Sequence, residues 1–531
     1  MISGRGRAAS VAALVGAVIL AVAGPAGAVG SAQPAACAAA PRAAEAGSGA
    51  ASRGDDDAMA GMAGMAASPA SHPMKELADR LARTPTGGTL TVQPGVYRGG
   101  LVIDRRITLV GVGHPILQGD GTGTVLTIRA AGTTVRDLMV EGSGPGPVDN
   151  PAGVSVEADD VVVRDNHIRD SYTGIWVEGV RGARITGNVI DGRKSVAVSG
   201  ASPAMSQGDM GGMKMGSGHG AAQAGRGDGV SLFDATAPLV SGNTISDVRD
   251  GVYLSHGSDI RIECNSVVGS RYAVHGMYGV TVTVLRNRFT TDESGTVMMY
   301  GGPVTVDGNV IREQVSAATG FGVLLLDVGG ARLVNNVIVS NRVGLQIEGA
   351  AGEGHPAAVE RNTVALNQIG VGVFPTADAV MSRNSFVQNT VQVLGLGPDG
   401  GGGPSRWSRD GVGNYWSDYR GFDRAGNGIG DIPHVEGAAA GRLLAGDPAL
   451  LALATSPSFT LLRAVEQRSA GQHPVVVDRF PLMAPRSPSL PPVATRVALG
   501  TGLLGGLSLL ACSLVLVRCA KRRPPSFGKR S

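Results

Sequence analysis

The chain is poor in aromatic residues, in charged residues and in cysteine. Aromatic residues make up 4% and charged residues 17% of its 531 residues, whereas 82 residues are Gly. This combination is more typical of a repeat protein than of a globular α/β enzyme. The composition therefore directs attention to internal repeats.

An excess of positive charge is also absent from most of the chain. The formal net charge is +3, but the last segment, residues 518–531, holds six Lys or Arg and no acid. The other 40 of the 46 basic residues face 43 acidic residues. The balance predicts no nucleic-acid partner.

Only four cysteines are present, and two of them, Cys512 and Cys519, lie near the C-terminus. The remaining two, Cys37 and Cys264, are too few for a disulfide framework and do not form a Cys-x-x-Cys metal site. The chain also lacks a phosphate-binding Gly-rich loop that ends in Gly-Lys-Ser/Thr, so any use of ATP would belong to a partner.

Both ends carry export and membrane signals. Arg5 and Arg7 precede an apolar run and small residues that end at Ala28, which predicts a signal peptide over residues 1–28. An uncleaved N-terminal anchor is the alternative. The uncharged residues 497–517 predict a transmembrane helix, and the basic tail 518–531 predicts a cytoplasmic C-terminus. We therefore expect an exported protein with a single-pass anchor and an extracytoplasmic body.

Asn recurs at a nearly constant spacing through the middle of the chain. It occupies Asn166, Asn188, Asn243, Asn265, Asn287, Asn309, Asn336, Asn362 and Asn384, and most gaps are 22 residues. The period predicts an all-β protein, a right-handed single-stranded parallel β-helix over residues 74–400, with one coil per repeat. The short Asn amide tolerates a left-handed turn, and stacked amides can form hydrogen bonds from coil to coil.

The register of the Asn also predicts the orientation of other side chains. Apolar residues nine positions after the Asn should fill the core: Ile175, Val252, Val274, Leu345 and Val371. Positions ten and twelve should then face solvent. Residues 74–83 are expected to form a capping helix after a disordered Ala/Gly/Met-rich linker at residues 29–73. Residues 401–495 should form a C-terminal cap region.

Two Met-rich segments interrupt or precede the repeat. The gap between Asn188 and Asn243 contains 33 additional residues, and the insertion at 200–225 carries Met205, Met210, Met213, Met215 and His219. The second segment carries Met59, Met62, Met65, His72 and Met74. Thioether and imidazole are ligands that Cu(I) prefers, and Ag(I) would fit equally well. A low-complexity linker without a metal is the alternative.

A third group of soft ligands follows from the register. His275 and Met277 stand ten and twelve positions after Asn265, and Met299 stands twelve after Asn287. His256 lies on the preceding coil. We predict that these four side chains form one exposed His/Met patch, although a Met pair on a strand more often packs beneath a loop.

Two sequence blocks follow the repeats. Residues 413–419 are Gly-Asn-Tyr-Trp-Ser-Asp-Tyr, and residues 428–433 are Gly-Ile-Gly-Asp-Ile-Pro. Together with the Asn-marked coils before them and residues 480–485 after them, these blocks resemble the NosD family of β-helix maturation proteins for nitrous oxide reductase. The resemblance covers roughly residues 76–485.

The resemblance implies an extracytoplasmic protein that works with a partner ABC-type ATPase and permease. It also implies copper delivery to nitrous oxide reductase, with copper received from a membrane-attached chaperone. The Met-rich segments and the C-terminal span depart from the family pattern, and they could replace part of the chaperone's work.

A possible Ca²⁺ loop and a possible enzyme remain as alternatives. Asp423, Asn427 and Asp431 have the spacing of a Ca²⁺ loop, but Ala425 and His434 occupy two ligand positions, which favours a structural turn. Many β-helices process polysaccharides, but the solvent-facing positions ten and twelve show no paired acids. We therefore expect a protein without catalytic residues, with a polysaccharide-binding or polysaccharide-processing protein as the alternative.

Overall fold

The computed structural model describes residue 37 and most of residues 70–485. Within that range it leaves out 147–148, 194–224, 315, 317–318, 350–354 and 398–402. Between 438 and 473 it describes only 443, 450, 453, 456–459, 461, 462 and 465. The statements below concern these described residues.

The chain winds into a parallel β-helix with three long sheets, which confirms the predicted all-β coil architecture. Sheet A has 14 strands: β1 Ser71–Pro73, β3 Val96–Arg98, β6 Ile116–Gln118, β9 Met139–Glu141, β12 His167–Arg169, β15 Val189–Asp191, β18 Thr244–Ser246, β21 Ser266–Val268, β24 Arg288–Thr290, β27 Val310–Arg312, β30 Val337–Val339, β33 Thr363–Ala365, β36 Ser385–Val387 and β38 Tyr415–Trp416.

Sheets B and C have 12 strands each. Sheet B contains β2 Thr89–Val92, β5 Thr108–Gly111, β8 Thr134–Arg136, β11 Val162–Arg164, β14 Arg184–Thr186, β17 Leu239–Ser241, β20 Arg261–Glu263, β23 Val282–Leu285, β26 Val304–Asp307, β29 Arg332–Val334, β32 Ala357–Glu360 and β35 Ala379–Ser382. Sheet C contains β4 Leu101–Ile103, β7 Leu126–Ile128, β10 Ala152–Val156, β13 Thr173–Glu178, β16 Val230–Phe233, β19 Asp250–Ser255, β22 Tyr272–Met277, β25 Ser294–Met299, β28 Phe321–Leu326, β31 Val343–Glu348, β34 Ile369–Val373 and β37 Val391–Gly395.

The ends of the solenoid are covered. Helix α1, Met74–Arg83, lies over the first coil and buries Met74, Leu77 and Leu81, as the sequence predicts. The predicted linker over 29–73 is wrong at its end, because Ser71–Pro73 pairs with Val96–Arg98 as a strand of sheet A. At the other end, β39 His434–Glu436 and β40 Val476–Asp478 form an antiparallel hairpin. Both covers protect end coils that would otherwise expose strand edges.

The predicted core register is confirmed. The residues nine positions after the Asn are fully buried, because alternate side chains of each strand point into the coil. This set comprises Ile175, Val252, Val274, Leu345 and Val371. A continuous stack of aliphatic side chains therefore runs along the inside of the solenoid.

The Asn side chains form the predicted ladder at the corner between sheets B and A. Asn265 is typical: its Oδ1 accepts hydrogen bonds from the backbone N and Nδ2 of Asn243, both at 2.9 Å. Its Nδ2 donates to the Val240 carbonyl at 2.9 Å and to Asn287 Oδ1 at 3.0 Å. Each buried amide thus satisfies polar groups of two neighbouring coils.

The expected left-handed conformation belongs to a different residue. The residue before the Asn has positive φ, as at Cys264 (57°) and Arg286 (51°), and Gly takes that place at Gly187 and Gly242. The preceding residue turns the chain, so the Asn itself can direct its amide into the core. The prediction that the Asn adopts this backbone conformation is wrong.

The long insertion leaves the ladder intact. Asn188 Nδ2 donates to Asn243 Oδ1 at 3.0 Å, and β15 pairs directly with β18. The additional residues therefore leave the solenoid between β15 and β16. Most of the insertion predicted at 200–225 lies outside the described residues, as residues 194–224 are not described.

The structure extends the ladder beyond the sequence prediction. Asn384 Nδ2 donates to Asn414 Oδ1 at 2.8 Å, so the Asn of the 413–419 block is the last member. A second ladder, which the sequence analysis missed, lies five residues after the first one. Asn341 donates to Asn367 at 3.0 Å, and Asn367 donates to Asn389 at 2.9 Å.

Cys37 and Cys264 form a disulfide with a Cα–Cα distance of 5.7 Å. The sequence analysis correctly found too few cysteines for a framework, but it did not predict this single bond. Among the described residues, no helix is long and apolar enough to cross a membrane. The predicted signal peptide 1–28, the predicted span 497–517 and the tail 518–531 lie outside the described residues.

Replacing a ladder Asn should destabilise the protein strongly. Asn265→Ala removes the acceptor of the Asn243 N–H and one donor to the Val240 carbonyl, both in the interior. We expect a loss of roughly 3 kcal/mol in the free energy of unfolding. Ser266→Ala, at the next and only half-buried residue, should change it by less than about 0.5 kcal/mol. Urea unfolding of the full chain followed by circular dichroism measures both, and equal midpoints would contradict a stabilising ladder.

Asp292 occupies a position of the second ladder and should make stability depend on pH. Burial raises the pKa of Asp292 to about 7 although Ser270 donates to it, so the folded state retains a proton that the unfolded state releases near pH 4. Stability should therefore fall as pH rises from about 4 to about 7.

Asp292→Asn should remove this pH dependence, because Asn is the residue of the later positions in the same ladder. We expect a gain on the order of 2 kcal/mol at pH 8 and little change at pH 4. The exposed Asp234→Asn serves as the control. Urea midpoints measured at several pH values test the prediction, and an unchanged slope in Asp292→Asn would show it to be wrong.

Candidate functional site

The outer face of sheet C is divided into an apolar half and a polar half. The apolar half follows the later coils and is partly covered by residues after the solenoid, because Phe459 belongs to the same buried cluster. The cluster comprises Tyr272, Val297, Met299, Phe321, Leu324, Val343, Ile369, Val391, Leu394 and Phe459. The prediction that positions ten and twelve face solvent is therefore wrong at Val297, Gln346 and Glu348, which are buried.

The polar half contains two stacked aspartates on the preceding coils. Arg249 donates to both oxygens of Asp228 at 3.0 and 2.9 Å. Arg271 donates in the same way to Asp250 at 2.9 and 2.6 Å. Each Arg thus reaches back to the acid of the coil before its own, and both carboxylates are almost completely buried.

The two aspartates have different electrostatic environments. Burial raises the pKa of Asp228 to about 6, although Arg249 opposes this shift. Burial acts in the same direction on Asp250, but Arg271 and His275 together outweigh it, and the pKa of Asp250 falls well below its usual range. Asp250 is therefore a fixed anion at neutral pH.

Asp250 also orients His275. The His275 Nδ1 atom lies 3.0 Å from Asp250 Oδ2, and the ring packs against Tyr272 and Tyr253 with centroid distances of 5.0 and 5.2 Å. An Nδ1–H that donates to the carboxylate leaves Nε2 with its lone pair. A carboxylate behind an imidazole is the usual arrangement at metal-ligating His residues.

The predicted register of the Met residues is confirmed. Met277 pairs with Met299 on the next coil, and Met277 is two residues beyond His275 on the same strand face. The Met277 sulfur lies 4.0 Å from the Tyr253 hydroxyl. The predicted exposure is wrong for His275 and Met299, which are 8% and 9% exposed, because neighbouring rings and the apolar cluster surround them. The ligand role stays a prediction.

His256 is part of a different feature. It follows β19 with its Nδ1 2.8 Å from Ser255 Oγ, and its ring stacks on Tyr278 at 4.8 Å. A row of rings continues along the coils in the order Trp176, Phe233, His256, Tyr278 and Tyr300. The sequence analysis missed this row, although His256, Tyr278 and Tyr300 all stand thirteen positions after a ladder Asn.

The other predicted metal ligands are divided between folded and undescribed segments. Met74 is 5% exposed and packs in the core beneath α1, which argues against a ligand role for it. His72 lies on β1, with its ring stacked on Tyr97 at 5.0 Å and its Nδ1 3.2 Å from Glu76. The remaining predicted ligands lie outside the described residues: Met59, Met62, Met65, Met205, Met210, Met213, Met215 and His219.

Residues 413–433 are held in place by contacts within the cap. Asp478 accepts hydrogen bonds from the Asn414 backbone N at 2.7 Å and from Trp416 Nε1 at 2.9 Å. A Cβ at Gly413 would lie 1.8 Å from Asp478 Oδ1, so only Gly allows this approach. A Cβ at Gly430 would similarly collide with the Tyr419 ring. The block therefore closes the last coil.

The cap also brings together Asp418, His434 and Glu436. Their ligand atoms lie within 4.8 Å of one another, and His434 and Glu436 are buried. The sequence analysis named His434 only as an unsuitable twelfth ligand of a Ca²⁺ loop. The missed signal was the alternation His-x-Glu on a strand, which places both side chains on one face.

The candidate Ca²⁺ loop is internally hydrogen-bonded. Asp423 accepts the backbone N–H groups of Gly426 and Gly428 at 2.6 and 2.7 Å. Asp431 accepts the Arg424 N–H at 2.6 Å, and Asn427 accepts the Ile429 N–H at 2.9 Å. These contacts favour the structural turn over the Ca²⁺ site.

Two solved structures illustrate the resemblance in fold. The catalytic domain of a GH87 alpha-1,3-glucanase in complex with tetrasaccharides has 12% identity, covers 68% of this chain and 71% of its own, and gives a TM-score of 0.48. The A-module of a mannuronan C-5 epimerase from Azotobacter vinelandii has 14% identity. It covers 63% of this chain and 93% of its own, and it gives a TM-score of 0.42. Similarity at this level carries no argument about activity.

Similarity in sequence identifies relatives more specifically than the similarity in fold does. The family model described as "Periplasmic copper-binding protein (NosD)" matches residues 211–421. A "Probable ABC transporter binding protein NosD" from Pseudomonas aeruginosa is 29% identical over 432 residues, which are 76% of this chain and 90% of the relative. A protein of the same name from Stutzerimonas stutzeri is 28% identical and covers 73% and 85%. These matches confirm the resemblance to the NosD family that the Asn-marked coils and the closing block of the cap predict.

Proposed function

We propose that this protein is an extracytoplasmic copper-handling accessory protein that assists the maturation of nitrous oxide reductase. The family description as periplasmic and copper-binding supports the metal, and the names of the two relatives support work with an ABC transporter. The transporter ATPase and permease would be partners, a copper chaperone would supply the metal, and nitrous oxide reductase would receive it.

The observation that carries the proposal is the position of His275, Met277 and Met299 on two neighbouring coils. One imidazole and two thioethers form a soft ligand set, which suits Cu(I) better than a hard cation. Asp250 fixes the ring of His275 and leaves Nε2 available to a metal. A side-chain rotation of Met299 out of the apolar cluster would complete three ligands.

The Met-rich segments would collect copper before it reaches this site. One segment precedes the solenoid in the sequence and contains Met59, Met62 and Met65. The other segment is the insertion, which contains Met205, Met210, Met213, Met215 and His219. The insertion leaves the solenoid between β15 and β16, and β16 lies two coils before β22 in sheet C. Copper could therefore pass from the insertion to the His275 region over a short distance.

Cu(I) titration tests the proposal. The starting protein is the full chain with the Met residues at 59, 62, 65, 205, 210, 213 and 215 changed to Ser and His219 changed to Gln. Deleting residues 59–74 is unsuitable, because β1 and the start of α1 are folded. In this background, His275→Gln and Met277→Leu should each weaken Cu(I) binding by at least roughly 10-fold, the lower end of what loss of an outer partner costs a metal site.

Anaerobic competition with a chromogenic Cu(I) chelator gives the dissociation constants. Met381→Leu is the matched control, since Met381 is fully buried in the core and remote in sequence from the site. Unchanged affinity in both site variants would rule out the site. Absence of Cu(I) binding by the unaltered chain would rule out copper handling itself.

The proposed role in maturation has a cellular test. Cells that lack this protein should produce nitrous oxide reductase with less copper, and the copper content of the purified reductase measures this. Complementation with the His275→Gln chain should restore less copper than complementation with Met381→Leu. A fully loaded reductase in the absence of the protein would contradict the proposed role.

A polysaccharide-processing protein is the second candidate, because Asp228 and Asp250 are two acids at equivalent positions of neighbouring coils. Both carboxylates already accept two hydrogen bonds from an Arg, so neither is available as a nucleophile or base. We therefore expect no turnover of uronates or other glycans by the purified chain. Product formation that is lost in Asp228→Asn would favour the enzyme.

We also propose that residues 1–28 direct export and that residues 497–517 anchor the protein, with residues 518–531 in the cytoplasm. The support is the charge and apolar pattern of these segments. Removal of residues 497–531 should release the protein from washed membranes.

A further inference from the structure

The C-terminal cap places three metal-ligating side chains in one pocket. His434 and Glu436 are two residues apart on β39, so they share a strand face. Asp418 approaches them from the turn after β38, where the last coil ends. The group is therefore assembled from two segments that the fold brings together, and it lies apart from the outer face of sheet C.

The His434 ring is held in a fixed orientation. It stacks on Trp416 with a centroid distance of 4.5 Å and an interplanar angle of 17°, and Tyr419 meets it edge-on at 6.2 Å. Trp416 is itself fixed by its hydrogen bond to Asp478. His434 is 4% exposed and Glu436 is 7% exposed, so both ligand candidates are preorganised and shielded from water.

The distance between the two buried groups suits a shared metal ion. His434 Nε2 lies 3.4 Å from Glu436 Oε1, beyond the usual range for a hydrogen bond to nitrogen. Two ligands bound to a tetrahedral ion at about 2.0–2.1 Å are separated by roughly 3.3 Å. A metal between these atoms would therefore require little movement of either side chain.

A neighbouring amide orients the Asp418 carboxylate. Gln392 Nε2 donates to Asp418 Oδ1 at 3.2 Å, as an outer partner does to a carboxylate ligand at metal sites.

We propose that Asp418, His434 and Glu436 bind a divalent transition-metal ion of the Zn²⁺ or Cu²⁺ type. Imidazole with carboxylates suits such ions, whereas Cu(I) prefers the thioethers of the other site. Three protein ligands leave one position for water in a tetrahedral site. The ion ties the turn after the last coil to the β39–β40 hairpin and thereby holds the cap closed.

Isothermal titration of the full-length chain with Zn²⁺ tests this site. Glu436→Gln and Asp418→Asn, which keep the side-chain shapes, should each weaken binding of one Zn²⁺ ion by at least 10-fold. His167→Gln is the matched control, because His167 Nε2 forms a 2.7 Å contact with Asp191 on the surface of sheet A. Equal zinc binding by all four proteins would overturn the proposal, as would an equal loss in the control.

The unaltered chain provides a second measurement that does not depend on how the variants fold. Zn²⁺ should raise its unfolding temperature, and Co²⁺ should give the visible absorption bands of a four-coordinate site. Absence of both effects means that His434 and Glu436 form a buried ion pair without metal and overturns the proposal. Cu(I) affinity at the His275 site should be unchanged in Glu436→Gln, so the two sites fail or succeed separately.

Discussion

The hydrogen bond from one Asn amide to the next is the interaction on which the solenoid depends. From Asn166 to Asn414 it satisfies buried backbone groups at the corner between sheets B and A, and it links each coil to the next in one register. Because each amide needs partners only on the neighbouring coils, additional residues can be inserted at another corner of a coil without disturbing the Asn corner. The 55-residue separation of Asn188 and Asn243 shows this directly, since their side chains bond like those of any 22-residue step.

This fixed register determines what the outer face of sheet C can do. Residues at equivalent positions of successive coils form columns along the solenoid. The column that begins with Asp228 changes along the solenoid from acidic to mostly apolar residues. Asp228 and Asp250 are followed by Tyr272, Ser294 and Phe321. The change coincides with the start of the apolar cluster that includes Phe459. His275 and Met277 lie at the boundary, next to both a fixed anion and an apolar surface, and this boundary gives the proposed copper site its mixed environment.

The sequence alone predicts the features that repeat in every coil, but it does not predict those that occur once. The coil period, the core positions and the pairing of Met277 with Met299 follow from the spacing of Asn alone. The burial of Val297 does not, because Val297 belongs to the apolar cluster that includes Phe459, a residue of the non-repeating segment after the solenoid. Asp228 follows the irregular insertion and has no Asn seven residues before it, so the Asn register does not predict its alignment with Asp250. The sequence does not predict the group of Asp418, His434 and Glu436, because only the folded structure brings its two segments together.

The disulfide between Cys37 and Cys264 has a further consequence for the N-terminal Met residues. Cys264 belongs to a central coil, whereas residue 70 is the neighbour of β1 at the first coil. The segment that contains Met59, Met62 and Met65 is consequently attached to the solenoid at both ends. Its thioethers then meet the solenoid at an effective concentration set by the length of this closed loop and not by the amount of protein. Reduction of this bond would release residue 37 from the central coil and lower this concentration, which would link the proposed collection of metal to an oxidising compartment, where such bonds persist.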